Sequence, residues 1–383
     1  MKYSWQHPLW PQFSYDTAAV QPLLYQYAQH AGKLAGGLQQ LNQSLQSEAY
    51  LDLMISEAIH TSDIEGERLN REDVRSSIKN YLGFNSPTVR VADSRAEGMA
   101  ALMLDVRKKF AQPMTAELLC YWHTLVLPAE LSQNKALARG QWRTGTQPMQ
   151  IVSGPIGYEK VHYQAPSAEQ VPAHMQQFLA WYQASDPCSD TQSIFLAGPV
   201  RAALAHFWFE SIHPFEDGNG RVGRALAEHA LGQDLKHPAL LSLSTYLDQH
   251  RAEYYQQLHD ASCLDPDFHA SLDLSAWVLW FCQAVLSAQQ DASASIEFVL
   301  KKAKFWEAQT HKTLNERQHK VLHKLFAAGT EGFTQGINAQ KYRAITGCSK
   351  ATASRDLADL VQQDCLTPRA STGRNARYEL KLG

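Results

Sequence analysis

His213-Pro214-Phe215-Glu216-Asp217-Gly218-Asn219-Gly220-Arg221-Val222-Gly223-Arg224 is the stretch on which the reading of this chain turns. It gathers a base, acids, two arginines and a glycine-flanked turn into one short run. The preceding residues, Ser193 to Ile212, are mostly apolar (Ile194, Phe195, Leu196, Ala197, Val200, Ala203, Leu204, Phe207, Trp208, Ile212) and predict a buried helix. Val222 to Gln233 predicts a second one. His213 then stands where one helix ends, and Gly218-Asn219-Gly220 turns into the N-terminus of the next. Unpaired N–H groups and the positive end of the helix dipole suit an anion there.

The surrounding chain is that of an ordinary globular protein, with 383 residues, 44% hydrophobic and 19% charged. That length allows two or more cores. Neither a leader-like apolar segment nor a run of about 18 uncharged apolar residues occurs, so a cytoplasmic protein without a membrane span is expected. Cys120, Cys188, Cys263, Cys282, Cys348 and Cys365 lack paired spacing and read as reduced thiols. The net charge of −3 conceals an asymmetry. From Asn315 to Gly383 there are 11 Lys and Arg against 6 Asp and Glu, whereas the rest has 24 against 32. The basic tail and acidic body point to different partners.

In chain order, Trp5, Pro8, Trp10, Pro11, Phe13 and Tyr15 make an aromatic arm that proline keeps from being one helix. Helical spacing runs from Thr17 to about Ser62, and within Glu48 to Gly66 a buried face is formed by Leu51, Met54, Ile55, Ala58 and Ile59. Thr61 and Glu65, four apart, share a face of its last turn, with Gly66 as the stop signal. Asn70 opens the next helix, Ser94 to Phe110 another, and Thr115 caps one through Leu127. Gly140 to Pro166 changes character: Met149 to Ser153 and Tyr158 to Tyr163 predict a β-hairpin flap, with glycines between them. Ser167 and Gln170 form a capping box for a helix to Gln183. Further helices are expected over Thr245 to Ala261 and Leu272 to Thr310. Trp277, Trp280 and Trp306 read as core, and His319 with His323 as a packed or solvated pair. The tail predicts helices over Glu316–Ala328, Asn338–Thr346 and Ser349–Gln363, then strands at Leu366–Arg369 and Ala376–Leu380. That order is a winged helix-turn-helix.

Residues 213–224 resemble the Fic family signature, H-x-F-x-D/E-G-N-G-R-x-x-R, at each of its defined positions. The resemblance implies an all-helical Fic fold over roughly residues 115–290, with the flap at about 149–163 lying over a target. It also implies transfer of AMP from ATP to a protein hydroxyl, with release of pyrophosphate. The residues suit that chemistry. His213, with an ordinary pKa of about 6.5, can take the hydroxyl proton. Asp217 is a hard oxygen ligand for Mg2+. Gly218 and Gly220 let the backbone approach phosphates, Asn219 can add a donor, and Arg221 and Arg224 offer bidentate forks. By resemblance, Arg224 holds the γ-phosphate. Phe215 reads as an anchor for the loop.

Thr61-Ser62-Asp63-Ile64-Glu65-Gly66 resembles the family's inhibitory motif S/T-x-x-x-E-G/N, which implies that Glu65 pairs with Arg224 and displaces the γ-phosphate. The fold expectation is therefore mainly α: an N-terminal arm and helical region carrying the inhibitory helix (1–110), a Fic core with a short β-hairpin flap (111–312), and a winged helix-turn-helix domain (313–383). The expected partners are ATP and a hydroxyl-bearing protein that adds to the flap as a strand. DNA contact by Ser349 to Arg355 and by wing residues Arg369, Arg374, Arg377 and Lys381 is open, as is a homodimer. Two alternatives stand beside the autoinhibited adenylyltransferase. One is a DNA-binding regulator or toxin-like module with an accessory Fic core; the other is a Fic enzyme that transfers UMP or phosphocholine, or removes AMP.

Overall fold

The computed structural model describes residues 2–128, 137–153, 160–264, 271–310, 312–327, 336–369 and 376–382. The flap tip with Gly154, Gly157, Tyr158 and Glu159, the end of the expected tail helix at Ala328, and Arg374 lie outside these residues. The protein is mainly helical. The helices are α1 Thr17–Gln39, α2 Gln43–Ile64, α3 Arg71–Tyr81, α4 Ser94–Lys108, α5 Ala116–Val126, α6 Val171–Ala184, α7 Gly198–Ile212, α8 Asn219–Leu235, α9 Leu243–Gln249, α10 Arg251–Ser262, α11 Ser275–Gln309, α12 Glu316–Ala327, α13 Ala339–Thr346 and α14 Lys350–Gln362. Among the described residues the strands form two-stranded pairs: β1 Lys2–Tyr3 with β5 Cys263–Leu264, β2 Phe13–Ser14 with β6 Leu272–Asp273, β3 Gln150–Ser153 with β4 Lys160–Gln164, and β7 Leu366–Pro368 with β8 Tyr378–Leu380, which a single bridge also joins to Ile337. Among the described residues, no helix is long and apolar enough to cross a membrane.

Two compact units emerge, Met1–Lys33 with Tyr50–Ala292, and Leu34–Ala49 with Ser293–Gly383. The boundary between them falls inside α1, α2 and α11. In the larger unit, α7 is buried along its whole length and packs on α8. Such a helix needs apolar residues on every side, and that is what Val200, Leu204, Phe207, Phe209 and Ile212 supply. It begins at Gly198 and not at Ser193, because Pro199 is accommodated in the first turn, where its missing N–H costs nothing. Phe195, expected in the buried helix, consequently lies outside it and is 79% exposed.

The aromatic arm seals this core. Its backbone joins β5 and β6 through β1 and β2, while Trp10 and Phe13 meet Trp208 edge-on at 6.1 and 5.5 Å. The Trp5 indole donates to the Gln164 carbonyl at 2.7 Å, tying the arm to the foot of the flap.

Elsewhere the caps decide where helices start. Asn70 accepts from the Glu72 and Asp73 N–H groups, and Thr115 from Leu118. The helical reading of Thr245 to Ala261 resolves into α9 and α10, which are separate helices either side of His250.

In the smaller unit, Phe305, Val321, Leu322, Phe326, Leu357 and Leu360 form the core under α12–α14 and the β7–β8 pair. Gly347 turns α13 toward α14 at φ 73°, where an L side chain would be strained. Asp356, buried in α14, accepts from the Tyr342 hydroxyl and the Arg317 guanidinium. His319 and His323 both stack on Trp306, at 5.9 and 4.6 Å, which accounts for the pair as packing.

Helices α4 and α5 meet through Gly98, where an added Cβ would lie 2.1 Å from the Leu125 carbonyl oxygen. Gly98→Ala is expected to destabilise the protein by about 1–3 kcal/mol, since backbone cannot move aside as a side-chain tip can. Urea unfolding checks this, and an unchanged midpoint would contradict the close packing.

Candidate functional site

The C-terminus of α7 presents His213 in a left-handed conformation (φ 51°, ψ 61°), its N–H still bonded to Phe209. A non-glycine residue holds that conformation only when the surroundings impose it. Arg143 does so here: its Nε donates to the His213 carbonyl at 2.7 Å, its Nη2 donates to Pro166 and Ile212, and its own N–H donates to Pro214.

The loop then closes on itself. Asn219 accepts from the Phe215 N–H and donates to the Phe215 carbonyl, both at 2.9 Å. Its side chain thus braces the turn, and its backbone N–H is what it offers an anion. Phe215 is fully buried and stacks face to face on His123, with centroids 3.9 Å apart. The Gly140 N–H donates to His123 Nδ1, so Nε2 carries the proton and donates to the Asp217 carbonyl at 3.1 Å.

Gly218, at φ 77°, starts α8, whose first-turn N–H groups have no partner within the helix. The Asp217 carboxylate is 55% exposed, with Oδ1 accepting from the Gly218 N–H. Arg221 and Arg224 follow, both almost fully buried. Neither guanidinium is free. Arg224 donates through Nη2 to Glu65 Oε1 at 2.7 Å and to the Thr61 carbonyl at 2.8 Å, while its Nε donates to the Thr61 hydroxyl at 2.7 Å. Arg221 Nη1 lies 2.6 Å from Glu67 Oε2.

Both carboxylates come from the turn that ends α2. Glu65 and Glu67 N–H groups donate to the Ser62 carbonyl, and Gly66 takes φ 78°, so the chain doubles back toward α8. Gly220 leaves the room: a Cβ there would lie 2.2 Å from Glu65 Oε1.

Above this floor is a cavity of about 790 Å3 lined by His213, Glu210, Arg224, Gly220, flap residues Ile151 and Val152, and Tyr255 of α10. That volume suits a small-molecule ligand. Burial lowers His213 from its ordinary value to about 4, with Arg143 contributing, so the imidazole is neutral at pH 7 and able to accept a proton. It is a weaker base than an exposed histidine.

The structure thus gathers His213, Gly220, Arg224 and Glu65 at one cavity, with Thr61 behind Arg224, Arg221 beside it and Asp217 at the rim of the loop. Sequence reasoning missed His123, Arg143, Glu67 and Glu210. Glu67 sits two positions beyond Glu65, but only the tertiary turn shows which arginine it meets.

Residues 113–231 match the Fic/DOC family, and residues 3–84 match a domain of unknown function, DUF4172. The chain therefore carries a Fic/DOC family domain. Protein adenylyltransferase fic-1 of Caenorhabditis elegans is 36% identical over 80 residues, which is 21% of this chain and 15% of that protein. Protein adenylyltransferase Fic of Culex quinquefasciatus is 37% identical over 89 residues, 23% of this chain and again 15% of the relative. The match thus spans about 15% of the length of these relatives. A Fic family protein from Desulfovibrio desulfuricans G20 shares the fold over 96% of this chain and 97% of its own, with a TM-score of 0.51 and 18% identity.

Burial lowers His123 to about 4, and His206 and His229 to about 3. These groups stay neutral in the fold but charge in the unfolded chain below about pH 6.5. Their contribution is complete above that value and is lost as pH falls toward 4 and below. Thermal unfolding midpoints are expected to start declining near pH 6.5, above the carboxylate range; a flat profile from 7 to 5 would contradict it.

Proposed function

We propose that this chain is a protein adenylyltransferase that moves AMP from ATP to a hydroxyl side chain and is restrained by its own Glu65. One observation carries the reading: His213 and Arg224 line the same cavity, and a carboxylate from the α2 turn already occupies the guanidinium that an anionic ligand would require. The names of the relatives support adenylyl as the group transferred.

In this mechanism the polyphosphate of ATP lies along the N-terminus of α8, held by first-turn N–H groups and the Arg221 and Arg224 forks. A target segment pairs with the flap, whose Ile151 and Val152 are about half exposed. His213 takes the target hydroxyl's proton as its oxygen bonds to the α-phosphorus. The bond from that phosphorus to the bridging oxygen breaks, and its electron pair leaves with pyrophosphate. Asp217 fits a Mg2+ ion, because one carboxylate oxygen is tied to the Gly218 N–H while the group stays open to solvent. Such an ion supplies charge neutralisation on the phosphates.

Glu65 removes the partner of the terminal phosphate and sets like charge against it. Glu67 does the same at Arg221. The latch therefore has two carboxylates on two arginines.

A second reading concerns the tail. On α14, Lys350, Ser354 and Arg355 are exposed while Ala353, Leu357 and Leu360 are buried. We read α13, α14 and the β7–β8 pair as a winged helix-turn-helix whose exposed face meets the DNA backbone. The full chain should retard duplex DNA in a salt-sensitive manner, and Lys350→Ala with Arg355→Ala should weaken this about uniformly across sequences. Unchanged binding, or none, would remove the regulator reading.

With labelled ATP, Glu65→Gly should raise self-modification by about 5–150-fold, the range of ordinary coupling energies. Glu67→Ala should raise it less, and Glu65→Gly with His213→Ala should abolish it. Labelled CTP, GTP and UTP in parallel, with mass spectrometry, test the transferred group. No gain in Glu65→Gly, or preferred label from another nucleotide, would overturn the proposal.

A further inference from the structure

Glu210 occupies the last turn of α7, three residues before His213, and is 8% exposed. Its carboxyl lines the cavity, yet Oε1 is buried with no hydrogen-bond partner among the described residues. An acid in such a place carries a desolvation cost that no hydrogen bond to that oxygen offsets. Oε2 lies 3.7 Å from His213 Nδ1, and the Glu210 backbone carbonyl lies 3.4 Å from the same nitrogen. Two oxygens of one residue therefore face one side of the imidazole. Gly223 makes this possible, since a Cβ there would lie 2.5 Å from Oε1.

We propose that Glu210 is the positioning residue of His213. It holds the proton on Nδ1, so that Nε2 presents its lone pair to the cavity, and its carboxylate supports the imidazolium formed when Nε2 takes the hydroxyl proton. The proton thus moves from substrate oxygen to Nε2, the Nδ1 proton stays where it is, and no further reactant is needed. The contact is longer than a hydrogen bond at rest, as such contacts often are before substrate arrives.

The groups facing Glu210 tie this to the latch. Glu65 and Arg224 approach from the α2 turn and α8, Tyr254 and Tyr255 from α10, Tyr163 from the flap, and His206 and His213 from α7. Burial, and then the Glu65 charge, push the Glu210 carboxyl up to about 8, while Arg224 opposes them. With Glu65 in place the acid keeps its proton at neutral pH and gives the imidazolium little support.

This inference rests on the proposed transfer reaction, so its test has an arm that does not. In 15N-labelled wild-type protein, with the His213 signals identified by their loss in His213→Asn, the imidazole should be the Nδ1–H tautomer. Above about pH 8, where the Glu210 carboxyl loses its proton, Glu210→Gln should alter the tautomer balance. In the Glu65→Gly background, adding Glu210→Gln should lower kcat at least about tenfold with KM for ATP within about twofold, and should flatten the pH-rate limb nearest neutrality. Glu210→Asp should recover part of the loss, which a packing role would not predict. An unchanged His213 spectrum, or a superimposable pH profile and kcat in Glu210→Gln, would overturn the assignment. If Glu65→Gly transfers nothing, the transfer reading fails, and the spectrum alone decides the role of Glu210.

Discussion

The guanidinium of Arg224 is the group around which the larger unit is arranged. It is a permanent cation, and it is almost fully buried. A charge in that position has to be surrounded by acceptors, because its desolvation is otherwise unrecovered. The acceptors come from a segment some 160 residues earlier in the chain: the Thr61 hydroxyl and carbonyl, and the Glu65 carboxylate. That requirement brings the end of α2 against the start of α8. It also explains why the α2 turn reverses sharply at Gly66, and why Gly220 stands opposite the Glu65 carboxylate.

The same need organises the rest of the loop. His213 is held in a backbone conformation it would not choose, so Arg143 secures its carbonyl and the Asn219 amide locks the turn onto Phe215. Phe215 in turn lies flat on His123, which bonds the Asp217 carbonyl. His213, which faces the cavity, is thus backed by residues that do not. The aromatic arm contributes at longer range by covering α7, the helix that carries Glu210 and His213 to the cavity floor.

Much of this was legible in the amino-acid sequence, for reasons that differ by residue. Helix starts at Asn70 and Thr115 could be read because a capping side chain acts on N–H groups two or three residues away, within the chain's own local geometry. The His213–Arg224 stretch could be read because phosphate chemistry demands a fixed set of groups at short spacing. The sequence misplaces the start of α7 because apolar residues before Pro199 look helical by composition, although Phe195 is left in solvent. Glu67, Arg143, His123 and Glu210 were not found because their roles arise from contacts made across the fold. An acid beside a glycine turn, or an arginine in an irregular stretch, carries no local mark of its partner. The flap reads as a hairpin from its β-prone pieces, yet which of its residues line the cavity depends on the register of β3 against β4.

The two glycines that flank Asn219 look equivalent as letters but answer to different constraints. Gly218 is needed for its backbone angle, whereas an added methyl group at Gly220 would collide with a carboxylate from a distant segment. The requirement at position 220 is therefore conditional on what stands at position 65. The two positions form a single packing unit, and the effects of substituting them should fail to add. A methyl group at 220 would push the Glu65 carboxylate tip away from Arg224 and not strain the backbone, so the tolerance of this motif to change is set partly by a helix outside it.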